Sequence, residues 1–386
     1  YTTLFRSVAV TIFPLRAQGK PRWTPESIDV DLELAERKTM ALKVGSLAHL
    51  PFTRFFWREF GYLAKSKNKK IFNFLRLARQ GAEILSVHKL LQKKLTDAPE
   101  KVIIYSYWSG SAAYSATLLE KREGGSVSVV SRTHRGDLYE ERHKQLYLPF
   151  KRQFLNSFDA IIPISFDGLN YLKDRFGVDP KKIVVLPLGV EVPNVKCQPS
   201  EANAISVLSG SFLVEVKRVD KIVDALKLLA EKGDVETIIW RHIGDGPLFG
   251  ELQAYAQEQL FDCKVDWQFL GNMENESVRE YYKNNVIDVF VNSSESEGVP
   301  VSIMEAMSFG VPVIAPDVGG VREIVSDQWG RILSSSPDGR EVRGAIKSIS
   351  EQCKDGSFRD LARQKVERDY NEKKNYDSLL NVLKTV

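Results

Sequence analysis

Residues 289–325 read VFVNSSESEGVPVSIMEAMSFGVPVIAPDVGGVREIV. The apolar run Val289–Val291 gives way to the polar stretch Asn292–Gly298, Pro300 opens an amphipathic segment to Phe309, Gly310 stops it, and Val311–Ala315 is apolar again. Strand, loop, helix, turn and strand make one βαβ unit, with Pro suited to the first helical position and Gly to the end. Unpaired N–H groups from Gly298 to Ser302 gather at the helix N-terminus, a place suited to phosphate oxygens. Glu297 stands just before that terminus and Glu305 in its second turn. A carboxylate beside an anion site is electrostatically awkward unless it accepts hydrogen bonds from hydroxyls. Two of them flanking a phosphate cradle point to a ligand with sugar rings on both sides of its phosphates, a nucleotide-sugar being the simplest. A purely structural βαβ unit with solvated acids shares this spacing.

Glu297-Gly298-Val299-Pro300 with Glu305 resembles the E-x7-E motif of the retaining glycosyltransferases of family 4. The resemblance runs on through Gly310-Val311-Pro312-Val313-Ile314-Ala315 and Asp317–Val325 (DVGGVREIV). It implies an α/β chain of GT-B fold, two Rossmann-like domains facing a central cleft. The expected bounds are an acceptor-side domain over 1–195, a nucleotide-sugar-binding domain over 196–365, and a terminal helix over 366–386 that crosses back to the first domain.

The 386 residues suffice for two cores, and 43% hydrophobic with 27% charged residues is ordinary for a globular protein. No apolar stretch reaches the roughly 18–20 residues of a membrane helix, and no signal peptide is visible. Cys197, Cys263 and Cys353 are scattered and odd in number, which argues against disulfides or a zinc site and for a reducing, cytoplasmic compartment. The net charge of +4 hides an asymmetry. Residues 1–198 carry about 32 Lys and Arg against about 19 Asp and Glu, leaving the remainder near −9.

Tyr1–Ser7 reads like a translated sequencing adapter, so native sequence is expected from near Val8, without the strand, loop and helix that open the resembled family. Residues 42–95 are helical in pattern, basic and aromatic. Phe52, Phe55, Phe56, Trp57 and Phe60 alternate there with Arg54, Arg58, Lys65, Lys67, Lys69 and Lys70. Such a face lies at membrane interfaces or is the buried stripe of an ordinary helix. Strands are expected at Lys101–Tyr105, Val127–Ser131, Phe158–Ile164 and Ile183–Leu186, with helices at Ser109–Lys121 and, capped by Ser165, Asp167–Phe176. Glu191–Ala202 is polar and contains Pro, hence a linker.

His134 and Asp137 follow a strand end, where open α/β sheets bind ligands. The resemblance implies that His134 lies close to the donor sugar and phosphate, with Asp137 an acceptor-side candidate. In the second half, the resembled family carries an Arg and, five residues on, a Lys that bind the donor diphosphate. Lys217 matches the Lys, but Phe212 occupies the Arg position, leaving Ser211 and Arg218 as substitutes. Gly244-Asp245-Gly246-Pro247 matches the family's Gly-rich turn, and Gly271-Asn272-Met273 the place where backbone groups hold the base.

The implied reaction is retaining glycosyl transfer from a nucleotide-sugar to an acceptor hydroxyl, in cell-surface polysaccharide or lipid-linked glycan assembly. Glu305 would hold the ribose hydroxyls, Glu297 the sugar hydroxyls, and Lys217 with the Gly298–Ser302 turn (Val299 and Pro300 included) the diphosphate. No convincing D-x-D metal motif stands at a strand end, and neither H-E-x-x-H nor G-x-S-x-G is present, so neither metal nor cofactor is expected. Peripheral contact with the inner face of a membrane is compatible with the basic half, and nucleic acid is not an expected partner. A GT-B epimerase and a non-catalytic nucleotide-sugar-binding protein are the rivals. A nicotinamide-dependent oxidoreductase is disfavoured because no strand runs into G-x-G-x-x-G.

Overall fold

The computed structural model describes residues 10–12, 28–30, 40–96, 101–119, 126–201, 203–233, 235–353 and 356–386. The adapter-like Tyr1–Ser7 lies outside them. The chain divides into two compact units, residues 1–162 with 171–184 and Val386, and residues 163–170 with 185–385.

In the first unit β1 (Val10–Ile12) pairs in parallel with β2 (Ile28–Val30). Helices α1 (Met40–His49), α2 (Arg54–Lys65) and α3 (Ile71–Lys94) follow. A sheet of order β3-β4-β5 is built from Lys101–Ser106, Ser126–Thr133 and Ala160–Pro163, with α4 (Ser111–Thr117) between its first two strands. Gly110 sets the start of α4 two residues later than expected. Helix α5 (Phe166–Phe176) opens where Ser165 Oγ accepts the Gly168 N–H at 3.0 Å, the expected cap. Ile183–Leu186, expected as a strand, makes a single bridge to Ile161, followed by Val184 and Leu186 N–H bonds to the carbonyls of Ile161 and Pro163. Pro163 has no N–H to return, so the ladder cannot extend.

The second unit holds a six-stranded parallel sheet of order β11-β10-β9-β6-β7-β8. In chain order it runs β6 (Ala204–Gly210), α6 (Asp220–Lys232), β7 (Thr237–Ile243), α7 (Phe249–Gln259), β8 (Val265–Gly271) and α8 (Asn275–Asn284). It continues with β9 (Val289–Val291), α9 (Val301–Ser308), β10 (Val313–Pro316), β11 (Gly330–Leu333), α10 (Gly339–Gln352), α11 (Gly356–Asp369) and α12 (Glu372–Thr385). Alternate residues of one strand serve opposite cores. Val289 and Val291 pack with Ile222, Leu226 and Ile346 on one face, while Phe290 joins Ile303, Met307 and Phe309 on the other. Both faces are covered by helices, which is why β9 and β10 are apolar throughout. The expected linker Glu191–Ala202 is pinned to this unit: Cys197 is buried, its N–H bonds the Phe309 carbonyl, and Gln198 bridges Val286.

Strand order reverses between β6 and β9, where successive βαβ crossovers leave in opposite directions. A crevice opens beyond the carboxyl ends of strands at such a point.

Candidate active site

That crevice is a cavity of about 850 Å³. Gly210 and Ser211 after β6, Ile243 and Gly244 after β7, and Asn272 and Met273 after β8 line one side. Pro300, Ser302 and Glu305 of the α9 segment line the other, with Lys217 and Glu297 between. The Gly-rich turn is shaped by backbone contact. Gly244 has φ +143°, and a Cβ there would sit 1.9 Å from the Ser211 carbonyl oxygen. At Gly246 it would meet the Leu213 carbonyl at 2.5 Å. The Ser211 N–H bonds the Ile243 carbonyl and the Gly244 N–H bonds that of Gly271, so the strand ends are tied edge to edge.

Lys217 Nζ donates to Glu297 Oε1 at 2.5 Å, and Asn292 Nδ2 approaches the same oxygen at 3.3 Å. The lysine's loop is held by Ser293 Oγ, which donates to the Lys217 carbonyl at 2.8 Å. Glu305 differs. Among the described residues nothing hydrogen-bonds its carboxylate, and burial raises its pKa, opposed by the charge of Arg279. Tyr282, fully buried in the cavity wall, has its hydroxyl pKa pushed up by burial and then by the Glu305 charge.

Four expected residues stand elsewhere. Arg218 is left-handed (φ +46°) and turns into ion pairs with Asp220, at 2.9 and 3.1 Å, and Glu295, so it does not replace the missing arginine. Gly298 gives its carbonyl to the Gly320 N–H at 3.0 Å, and Val299 is buried in the apolar core. Gly271 is not among the lining residues, and its carbonyl accepts the Gly244 N–H at 2.8 Å. The N–H groups of Val301 and Ser302 precede the first helical bonds, those of Ile303 and Met304 to the Pro300 carbonyl. Pro300 is the N-cap (φ −67°, ψ 129°) and not the first helical residue, because the loop arrives extended. Phe212, in the arginine's expected place, lines the cavity. Val278, Tyr282 and Phe290 also line it and were not anticipated. The i, i+4 pair Val278–Tyr282 was the available signal.

In the first unit, His134 follows the last residue of β4. Its imidazole is buried against Trp108 and Tyr107, with ring centroids at 4.2 and 4.7 Å. Neither ring nitrogen has a partner among the described residues. Burial, then the charge of Arg132, lowers its pKa to about 4, so the ring is neutral. Asp137 is not directed at a ligand. Its two oxygens accept the backbone N–H of His134 at 2.7 Å and of Ser109 at 2.6 Å. Lys151, fully buried, donates to the Ser109 carbonyl at 2.8 Å, and burial lowers its pKa to about 8. Asp137 and Lys151 thus brace the loops that carry His134 and Trp108.

The family description Glycosyl transferases group 1 matches residues 198–364, and that of Glycosyltransferase Family 4 matches residues 53–192. The chain belongs to the family 4 glycosyltransferases. This glycosyltransferase is 26% identical to the amylovoran biosynthesis glycosyltransferase AmsK of Erwinia amylovora over 83% of its own chain and 79% of that protein. It is 22% identical to the Escherichia coli UDP-Gal:alpha-D-GlcNAc-diphosphoundecaprenol alpha-1,3-galactosyltransferase, covering 79% of each. The crystal structure of Anabaena HepE in complex with UDP shares its GT-B fold, with a TM-score of 0.59, 20% identity and coverage of 78% and 82%. The reaction is therefore glycosyl transfer from a nucleotide-sugar. No helix among the described residues is long and apolar enough to cross a membrane.

Proposed function

We propose that this glycosyltransferase moves a sugar from a UDP-type donor, with retention and without a metal ion, onto a hydroxyl of a growing or lipid-linked glycan. The observation carrying the donor reading is the second-unit cavity: a lysine–glutamate pair, two helix N-terminal N–H groups and an unpartnered carboxylate share one crevice at the strand reversal. Glu305 accepts the two ribose hydroxyls, which supply the hydrogen bonds its carboxylate lacks. Lys217 and the Val301 and Ser302 N–H groups face the diphosphate, and Glu297 accepts from the sugar. In the reaction the bond from the sugar's anomeric carbon to the phosphate oxygen breaks. The acceptor oxygen bonds that carbon on the same face, and its proton passes to the departing phosphate. Lys217 and the helix terminus offset the growing negative charge, the role a divalent ion would otherwise fill.

Nucleotide-sugars screened for thermal protection should single out UDP donors, and turnover of the selected donor should survive EDTA. Equal protection by all nucleotides, or turnover abolished by EDTA and restored by Mg²⁺, would refute the respective parts. The first unit also carries a surface suited to an anionic bilayer. Phe52, Trp57, Ile71, Phe72 and Leu75 are exposed among Arg54, Arg58, Lys65, Lys67, Lys69 and Lys70. The one acid between Lys43 and Arg79, Glu59, is buried and bonded to Tyr147 and Gln153. A lipid-linked acceptor would be met at that surface.

A further inference from the structure

The carboxyl edge of the three-stranded sheet carries two adjacent aromatic side chains that the donor cavity does not use. Tyr107 and Trp108, directly after β3, are 44% and 53% exposed, although rings of this size are usually covered. Their backbone is not loose. Ser106 Oγ donates to the Trp108 carbonyl at 2.7 Å, Gly110 N–H donates to the same carbonyl at 3.0 Å, and Ser109 is gripped at its N–H by Asp137 and at its carbonyl by Lys151. The two rings stand nearly perpendicular, at 80°, and both pack on His134.

Around these rings lie polar atoms with nothing to bond. Both His134 nitrogens, Ser109 Oγ and Thr133 Oγ1 are buried and have no partner among the described residues. Buried polar atoms are rarely left so, and their concentration at the edge where parallel sheets bind ligands marks a ligand's place. The ligand must offer an apolar face to exposed aromatic rings and hydrogen-bonding groups at its rim. A hydrocarbon chain leaves the polar atoms unmet. A phosphate calls for accessible cations, yet Arg132 is 2% exposed, Lys151 is buried behind the loop and Arg135 lies over the Tyr139 ring at 4.4 Å. A pyranose has both features: C–H bonds on one face, which meet the negative face of an aromatic ring, and hydroxyls around its edge.

We propose that Tyr107 and Trp108 form the platform on which a pyranose ring of the acceptor stacks, its rim hydroxyls bonding His134 and its neighbours. The proposal rests on the glycosyl-transfer reading and adds that the acceptor presents a sugar ring, not only a lipid or phosphate group.

The test is saturation-transfer NMR on the full chain with methyl glucopyranoside, methyl galactopyranoside and methyl N-acetylglucosaminide, glycerol being the ringless control. At least one pyranoside should receive saturation, concentrated on the C–H protons of one ring face, while glycerol receives none. Trp108→Ala should lower the signal at least about fivefold, whereas Trp108→Phe keeps more than half. Far-ultraviolet circular dichroism and thermal melts that match in all three proteins show that the substituted chains are folded, and thermal protection by UDP, read in parallel, should be unchanged. Equal signal in wild type and Trp108→Ala, or no signal from any pyranoside, overturns the platform. A signal that depends on Trp108 in a protein that UDP does not protect supports the platform while overturning the donor reading.

Discussion

Glu305 is held in conflict between folding and binding. Burial without a partner raises its pKa, so its ionised form opposes folding while being the form proposed to accept ribose hydroxyls. Because the folded pKa is raised, its contribution to stability is fullest below the unfolded pKa and is lost as pH rises through the folded one. Glu305→Gln should therefore raise Tm at pH 7 by roughly 1–3 °C while weakening donor binding about tenfold or more. Thermal shift with and without UDP checks both halves. The gain should shrink as pH falls below the Glu305 pKa. His134 behaves oppositely. Its pKa is lowered to about 4, so the stability tied to its neutral form is complete above the ordinary value near 6.5 and lost as pH falls towards 4. His134→Ala should flatten the pH–stability curve in that window and lower kcat about 100-fold without unfolding the protein, read by steady-state kinetics beside the melt. Lys217→Met removes the cation of the diphosphate site and should lower kcat/KM by about 100-fold or more, measured by steady-state kinetics.

At the scale of elements, the ends of the βα units do the positioning. Gly244→Ala would bring a Cβ within 1.9 Å of the Ser211 carbonyl at φ +143°, so it should destabilise the second unit by more than about 2 kcal/mol and abolish UDP protection, read by urea denaturation with and without nucleotide. Such elements are also where the chain could be read in advance. Val289–Val291 forms a strand at the bounds expected of it and Lys101–Tyr105 one that runs a single residue further, because apolar runs stop abruptly at polar residues. Ile183–Leu186 could not be judged the same way, since what limits it is Pro163, twenty residues earlier, on the neighbouring strand. The site divides similarly. Glu297, Ser302 and Glu305 follow from local spacing and Lys217 from the family resemblance, and all four line the cavity. The ion pairs that take Arg218 and the Asp137–Lys151 brace join residues remote in sequence or local geometry that composition does not carry.

Across the whole molecule, charge and exposure fall unevenly. Residues 1–198 are strongly basic, and their exposed aromatic and aliphatic side chains cluster where α2 turns into α3. Attraction of each lysine or arginine to an anionic surface is worth about 1 kcal/mol and fades within a Debye length. The chain should therefore float with vesicles containing phosphatidylglycerol but not with pure phosphatidylcholine, release in high salt, and float several-fold less when Ile71 and Phe72 are both changed to Glu. Flotation indifferent to lipid charge would refute this surface. The donor cavity is a separate matter: every residue lining it comes from the stretch between Gly210 and Glu305, inside one compact unit. On the proposed reading, loading the nucleotide and choosing what receives the sugar fall to different parts of the chain. Exchanging the front half should redirect the enzyme to another recipient without retraining it to another nucleotide.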